Sequence, residues 1–168
     1  MALPWERIQI RAYQALPAAW RDAAVRVATP SFAVGSLAWL TDDGERVLLG
    51  RSTYRPGWRP LGGFLQRGED PEAAVARELR EELGLTASGP RQRQVELAPH
   101  HRVAMNTDRR VITFMTTGRI ATDVELRLSD ELIETRWFNL DELPSFHPDF
   151  SERFLDEDAA AIRLFAQP

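Results

Sequence analysis

The sequence contains no cysteine, which excludes every class of site that depends on a thiol. A disulfide scaffold, a cysteine-ligated zinc or iron–sulfur site and a cysteine nucleophile all require that residue. Lysine is absent as well, because all 21 basic side chains are arginine. Any cationic side chain that contacts a phosphate must therefore be an arginine, whose planar guanidinium group suits bidentate recognition.

Long apolar runs and an excess of positive charge are also missing. The most apolar run, Phe32 to Leu40, includes Gly35 and Ser36 and is far shorter than the ~20 residues that span a bilayer. The first residues lack the basic region and long apolar core of a signal peptide, so we expect a cytoplasmic protein with no membrane partner. The net charge of −4 argues against binding to extended nucleic acid.

The 168 residues are enough for one domain with its own hydrophobic core. Hydrophobic periodicity and turn residues predict helices at Pro17 to Thr29, Asp70 to Leu83 and Asp149 to Ala166, and strands at Ser31 to Leu40, Glu45 to Ser52, Gln94 to Met105, Arg110 to Ile120 and Glu134 to Asn139. Asp43-Gly44 predicts a hairpin between the first two strands. This pattern predicts an α+β fold, a mixed α/β/α sandwich in which helices flank a sheet. We expect residues 1–168 to form a single domain with a short helical extension at about 1–30.

The predicted helix from Asp70 to Leu83 carries an unusual group of carboxylates. Glu78, Glu81 and Glu82 are spaced i, i+3 and i+4, so they share one face of the helix. Mg²⁺ prefers carboxylate oxygens and substrate phosphates as ligands, so the group suggests a metal site that handles phosphate. The alternative is a solvated acidic face paired with Arg77 and Arg80.

Glycines precede this helix and favour the metal-site interpretation. Gly62, Gly63 and Gly68 allow the backbone to turn sharply and to approach a ligand closely, and Glu69 follows directly. Together the residues from Gly63 to Leu85 resemble the complete sequence motif of the Nudix hydrolases, a family of MutT-like proteins: Gly63, five residues, Glu69, seven residues, Arg77-Glu78-Leu79, one residue, Glu81-Glu82, one residue, Gly84-Leu85. Leu61 stands where many members have proline.

The resemblance implies a Nudix fold and the hydrolysis of a nucleoside diphosphate linked to a second group X, with Mg²⁺ or Mn²⁺ as cofactor. ADP-ribose or another nucleotide sugar and a nucleoside triphosphate are the expected small-molecule substrates. Glu78, Glu81, Glu82 and the Gly62 carbonyl are the implied metal ligands. Arg77 and Glu69 are implied to orient them, and Glu78 is also the implied general base. Because some members take the base from a later loop, Glu125, Asp130, Glu131 and Glu134 stay open as alternatives.

Residues flanking the motif are candidates for binding the substrate. Arg51 and Arg55 could contact phosphates that are not cleaved, and Tyr54 and Trp58 could stack on a base, because they lie in or beside a loop rich in glycine and proline. Many relatives are homodimers, and the sequence leaves the assembly state open. The competing function is a catalytically silent Nudix domain that binds a nucleotide. A Nudix-fold isomerase is disfavoured because such enzymes rely on cysteine.

Overall fold

The computed structural model describes residues 13–42, 46–86, 94–121, 123–146 and 155–166. The chain divides into two compact units, Met1–Phe32 and Ala33–Pro168. The described part of the first unit contains helix α1 (Ala18–Ala28), which confirms the helix predicted there. Within the described ranges, no helix is long and apolar enough to cross a bilayer.

The second unit is built around one mixed sheet of seven strands. Its elements in chain order are β1 (Ala33–Thr41), β2 (Arg46–Ser52), β3 (Leu61–Phe64), α2 (Pro71–Leu83), β4 (Val95–Leu97), β5 (Arg102–Asn106), β6 (Val111–Ile120), β7 (Leu132–Asn139) and α3 (Leu155–Ala166). The main path of the sheet runs β4-β6-β1-β2-β7, while β3 pairs with β1 and β5 pairs with β6. Strands β1 and β6 are parallel and the other pairs are antiparallel.

The sheet buries a separate apolar cluster on each face. Successive side chains of a strand point to opposite faces, so Ala38 and Leu40 of β1 pack in one cluster and Trp39 packs in the other. The first cluster includes Leu79 of α2 and the second includes Ile162 of α3. Helices therefore cover both faces of a mixed sheet, which confirms the predicted α/β/α sandwich.

Two predicted elements were wrong in detail. The paired glycines, predicted as part of a sharply turning loop, lie in strand β3, where Gly62 and Gly63 pair with Leu37 and Ser36 of β1. The strand predicted from Gln94 to Met105 is two strands, β4 and β5. Pro99 between them has no N–H to donate to the ladder, and residues 98–101 stand opposite only residues 116 and 117 of β6, so the register shifts there although the Ala98 and His101 N–H groups still donate to β6.

The remaining differences concern the ends of elements. Strand β7 begins at Leu132 rather than at Glu134. The antiparallel pairing of Leu40 with Leu48 confirms that β1 and β2 are neighbours, although Asp43 and Gly44 of the predicted hairpin lie outside the described residues. The first part of the predicted closing helix, residues 149–154, also lies outside them.

Candidate active site

Local sequence signals place the acidic helix directly after β3. Gly68 has a φ of 82°, a left-handed conformation that suits glycine, and it turns the chain towards α2. The side chain of Asp70 caps the helix by accepting a hydrogen bond from the Ala73 N–H at 2.8 Å. Gly84, with a φ of 71°, ends it as expected. The three glutamates are thereby fixed on a helix that packs against β1 and β3.

Arg77 is the centre of a network that ties this helix to the preceding loop. Its Nε and Nη2 atoms donate to Glu69 at 2.9 and 3.1 Å. Its Nη1 atom donates to Glu78 at 2.9 Å and to Glu81 at 3.0 Å, and Nη2 also reaches the Phe64 carbonyl. The hydrogen bond from Arg77 holds the pKa of Glu69 below its ordinary value. Arg77 thus fixes the relative positions of residues from three segments.

Glu82 is buried, and its carboxylate reaches back to β3. Its Oε2 atom accepts a hydrogen bond from the Gly62 N–H at 3.1 Å, and its Oε1 atom lies 2.6 Å from Nη2 of Arg59. Nη1 of Arg59 donates to the Gly62 carbonyl at 2.9 Å. Burial raises the pKa of Glu82, and Arg59 and the Gly62 N–H oppose that rise without cancelling it. The Glu82 carboxylate and the Gly62 carbonyl therefore converge on one cationic group.

The Glu78 carboxylate lies close to Gly63 of strand β3. A Cβ atom added at Gly63 would lie 2.5 Å from Oε1 of Glu78. The carboxylates of Glu78 and Glu82 and the Gly62 carbonyl are hard oxygen donors, the type that Mg²⁺ and Mn²⁺ prefer. Among the described residues, no three acidic or histidine side chains form a group that could hold a metal ion. Arg59 contacts Glu82 and Arg77 contacts Glu78. The donor set fits a hard divalent cation in chemistry.

A cavity of about 680 Å³ opens beside this loop. Strand register defines its floor, because Arg102, Met115, Leu37 and Gly62 lie in one row across β5, β6, β1 and β3. Three inter-strand spacings separate the ends of that row, a span of roughly 14 Å. Arginines dominate the charged residues of the wall, which are Arg55, Arg59, Arg102, Arg109 and Asp108. The cavity has the size of a small-molecule site and a lining suited to an anion.

The four predicted substrate-binding residues divide into two groups. Tyr54 and Arg55 line the cavity. Trp58 instead packs edge-on against Phe138, with ring centroids 4.7 Å apart, and is not among the lining residues. Arg51 also lies outside the lining and pairs with Glu134 at 2.9 Å. The structure therefore brings only the first pair to the cavity.

The acids considered as an alternative general base lie in or next to the segment that follows β6. This segment runs along the end of α2, where the Ser129 N–H donates to the Glu82 carbonyl. Glu125, Asp130 and Glu131 are exposed, and Glu134 is engaged with Arg51 and Arg136. The four acids do not line the cavity.

Sequence reasoning did not pair Arg59 with Glu82, and it missed a buried ionic cluster next to the cavity. In that cluster Asp158 of α3 accepts two hydrogen bonds from Arg102 of β5, at 3.0 and 2.6 Å, and a third contact from His101 at 2.9 Å. Asp158 is only 1% exposed. In the sequence, Asp158 is visible only as an aspartate on the apolar side of a predicted helix. Sequence patterns do not show that it pairs with Arg102 of the distant strand β5.

Comparisons with known proteins agree on the family. A family model described as the NUDIX domain matches residues 31–157. The NAD-capped RNA hydrolase NudC of Mycobacterium tuberculosis H37Rv is 35% identical over 105 residues, which is 61% of this chain and 31% of that protein. This chain spans about a third of the length of that relative. Among solved structures, a UDP-X diphosphatase superimposes with a TM-score of 0.64 at 16% identity, over 90% of this chain and 73% of the other. A MutT protein from Methanosarcina mazei Go1 gives 0.56 at 26% identity, over 76% and 96%.

Proposed function

The chain belongs to the NUDIX family, and we propose that it is a divalent-metal-dependent pyrophosphohydrolase that cleaves a nucleoside diphosphate linked to a second group. The observation that carries the proposal is the convergence of the Glu82 carboxylate and the Gly62 carbonyl, with Glu78 beside them, at the wall of an arginine-lined cavity. Oxygen donors next to a cationic cavity suit a substrate that brings both phosphates and an organic group.

Each residue of the motif has a role in this proposal. Glu78, Glu81, Glu82 and the Gly62 carbonyl hold Mg²⁺ or Mn²⁺, which when bound neutralises phosphoryl charge and activates water. Arg77 keeps Glu78 and Glu81 in place, and Glu69 and the Phe64 carbonyl in turn hold its guanidinium group.

We propose Glu78 as the general base, because its carboxylate lies against Gly63, which lines the cavity. Neither Glu78 nor the later acids Glu125, Asp130, Glu131 and Glu134 line the cavity themselves, so the choice rests on the position of Glu78 beside Gly63. In this role Glu78 accepts a proton from the attacking water.

Tyr54 and Arg55 are the proposed contacts to the group beyond the cleaved phosphates. Arg55 lies 5.8 Å from the centre of the Tyr54 ring, so the two side chains form one cationic and aromatic surface at the cavity. Such a surface can stack on a base and bind a phosphate. Arg51 and Trp58, away from the lining, would act only on the outer part of a long substrate.

The name of the NudC relative supports a diphosphate between two nucleosides as one substrate class, because NAD contains that linkage. The test is a phosphate-release assay with Mg²⁺, coupled to pyrophosphatase and phosphatase. The panel contains ADP-ribose, NADH, NAD-capped RNA, UDP-sugars and nucleoside triphosphates. We expect turnover of at least one diphosphate-linked compound.

Variants on one helix connect that turnover to the site. Glu78→Gln should lose about 100-fold or more in kcat, because it removes a ligand charge. Glu82→Gln should lose as much in kcat and should also unfold more easily, because it leaves the buried guanidinium group of Arg59 without that carboxylate. Glu72→Gln is the matched control, since Glu72 is exposed in the first turn of α2 and outside the site. Unchanged activity in both site variants would show that the residues are assigned wrongly. Nucleotide binding without turnover of any compound would identify a silent binding domain instead.

A further inference from the structure

Arg59 makes the two contacts that a metal ion bound at Glu82 would need. Its Nη2 atom lies 2.6 Å from Oε1 of Glu82, and its Nη1 atom donates to the Gly62 carbonyl at 2.9 Å. The side chain is about nine-tenths buried, as is that of Glu82. One rigid guanidinium group thus joins helix α2 to strand β3 through the oxygens of two proposed metal ligands.

A cation is required at this position for the buried carboxylate. An ionised carboxylate out of contact with water is stable only when it is paired and hydrogen-bonded. The Gly62 N–H satisfies Oε2, so Arg59 supplies the only charged partner that contacts Glu82 within the described residues. A divalent cation at the same oxygens would carry more charge and would repel the guanidinium group.

We propose that Arg59 is a built-in substitute for the divalent cation: it occupies the metal position between Glu82 and Gly62, and metal binding displaces it. This inference rests on the proposed function, which assigns those two groups as ligands. The measured affinity for the metal then reflects the difference in free energy between the metal-bound state and the state in which Arg59 occupies the position. Strand β3 and helix α2 stay joined in both states.

The surroundings of Arg59 allow the displacement. The residue lines the cavity of about 680 Å³, so its side chain has open space next to it. Its Nε atom is buried and has no hydrogen-bond partner among the described residues. A donor left unsatisfied in the present position lowers the cost of leaving that position. Phosphate oxygens of a substrate in the cavity are acceptors for the released group.

The test is Mn²⁺ binding, measured by titration calorimetry and by the electron paramagnetic resonance signal of free Mn²⁺. Arg59→Met keeps an unbranched side chain and removes the guanidinium group and its charge, and we expect it to bind Mn²⁺ about tenfold more tightly than the wild type. Arg80→Met is the matched control, because it removes an equal charge from an exposed position of helix α2 and should leave affinity almost unchanged. In chelator, Arg59→Met should unfold at a lower temperature than the wild type, and Mn²⁺ should remove most of that difference.

Affinity in Arg59→Met that is equal to or weaker than in the wild type would overturn the proposal and make Arg59 a positioning residue. If wild-type protein and Arg59→Met both fail to bind Mn²⁺, the proposed function fails as well, which separates the two results. Should Arg59→Met not fold, ¹⁵N-arginine spectra of the wild type decide the question. The Arg59 signal, assigned with Arg59→Lys, should move on adding Mg²⁺, and a signal that stays fixed at saturation contradicts displacement.

Discussion

A buried ion pair joins α3 to the sheet, and its contribution to stability can be tested by Asp158→Asn. Asp158 is 1% exposed and accepts two hydrogen bonds from Arg102 and one contact from His101. Asparagine has nearly the same shape but no charge. The substitution therefore leaves the guanidinium group of Arg102, itself only 10% exposed, without its carboxylate.

The expected cost is about 3–5 kcal/mol in the free energy of unfolding, the range seen when one partner of a buried pair is removed. Natural domains have about 5–15 kcal/mol in total, so this one change should remove about a fifth or more of the stability. With a denaturant dependence of about 2 kcal/mol per M, the midpoint of urea unfolding should fall by about 2 M.

Asp141→Asn provides the control for this measurement. Asp141 pairs with Arg163 of α3 at 2.7 Å, but it is 86% exposed. Exposed pairs contribute about 0–1 kcal/mol, so this variant should unfold almost as the wild type does. Equal, small losses in the two variants would refute the reasoning that burial of the pair holds α3 in place.

The pH dependence gives a second check on Asp158. Burial acts to raise the pKa of Asp158, but the hydrogen bonds and charges of His101 and Arg102 outweigh it, so the pKa lies below its ordinary value of 3.8. A carboxyl with a lowered folded pKa stabilises the protein above its unfolded pKa and loses that contribution as the pH falls through the folded value. The difference between wild type and Asp158→Asn should therefore narrow below about pH 4.

Three further outcomes can be measured. Gly84→Ala should lower the free energy of unfolding by about 1–2 kcal/mol and Gly68→Ala by about 1 kcal/mol, because both glycines have a positive φ. Only the Cβ added at Gly84 would meet another residue, Arg127 at 3.1 Å. Equal losses of stability in thermal unfolding would contradict this steric difference. Burial lowers the pKa of His100, so the contribution of its neutral form to folding stability is present above pH 6.5 and is lost as the pH falls. The wild type should therefore lose more stability than His100→Gln between about pH 7 and 5. Stability curves that run parallel in the two proteins would contradict this prediction. EDTA should abolish hydrolysis and Mg²⁺ should restore it, whereas metal-independent turnover would contradict the proposed mechanism.

Local signals were sufficient for most of the fold. Helix α2 could be predicted almost to the residue, because its cap, its first-turn proline and its terminal glycine are all adjacent in sequence. Strand β3 was missed because four residues with two glycines have little strand propensity of their own. Pairing with β1 determines their conformation, and sequence patterns do not show that pairing.

The same distinction applies to the candidate site. The glutamates of α2 could be found because helical spacing alone places them on one face. The partnership of Arg59 with Glu82 and that of Arg102 with Asp158 join residues that are distant in sequence and near only after folding. Trp58 illustrates the reverse case, since its position in a loop suggested ligand contact while tertiary packing places it against Phe138.

The parallel pairing of β1 with β6 determines when this protein can fold during its synthesis. Strand β1 leaves the ribosome before its parallel partner β6, which follows only after β2, β3, α2, β4 and β5. Until then, one long edge of β1 has open backbone groups that can pair with other chains. Pairing between distant segments is slow because the intervening chain must first be ordered. We therefore expect the nascent chain to be most prone to aggregation in this interval, and chaperones that cover strand edges to raise its yield.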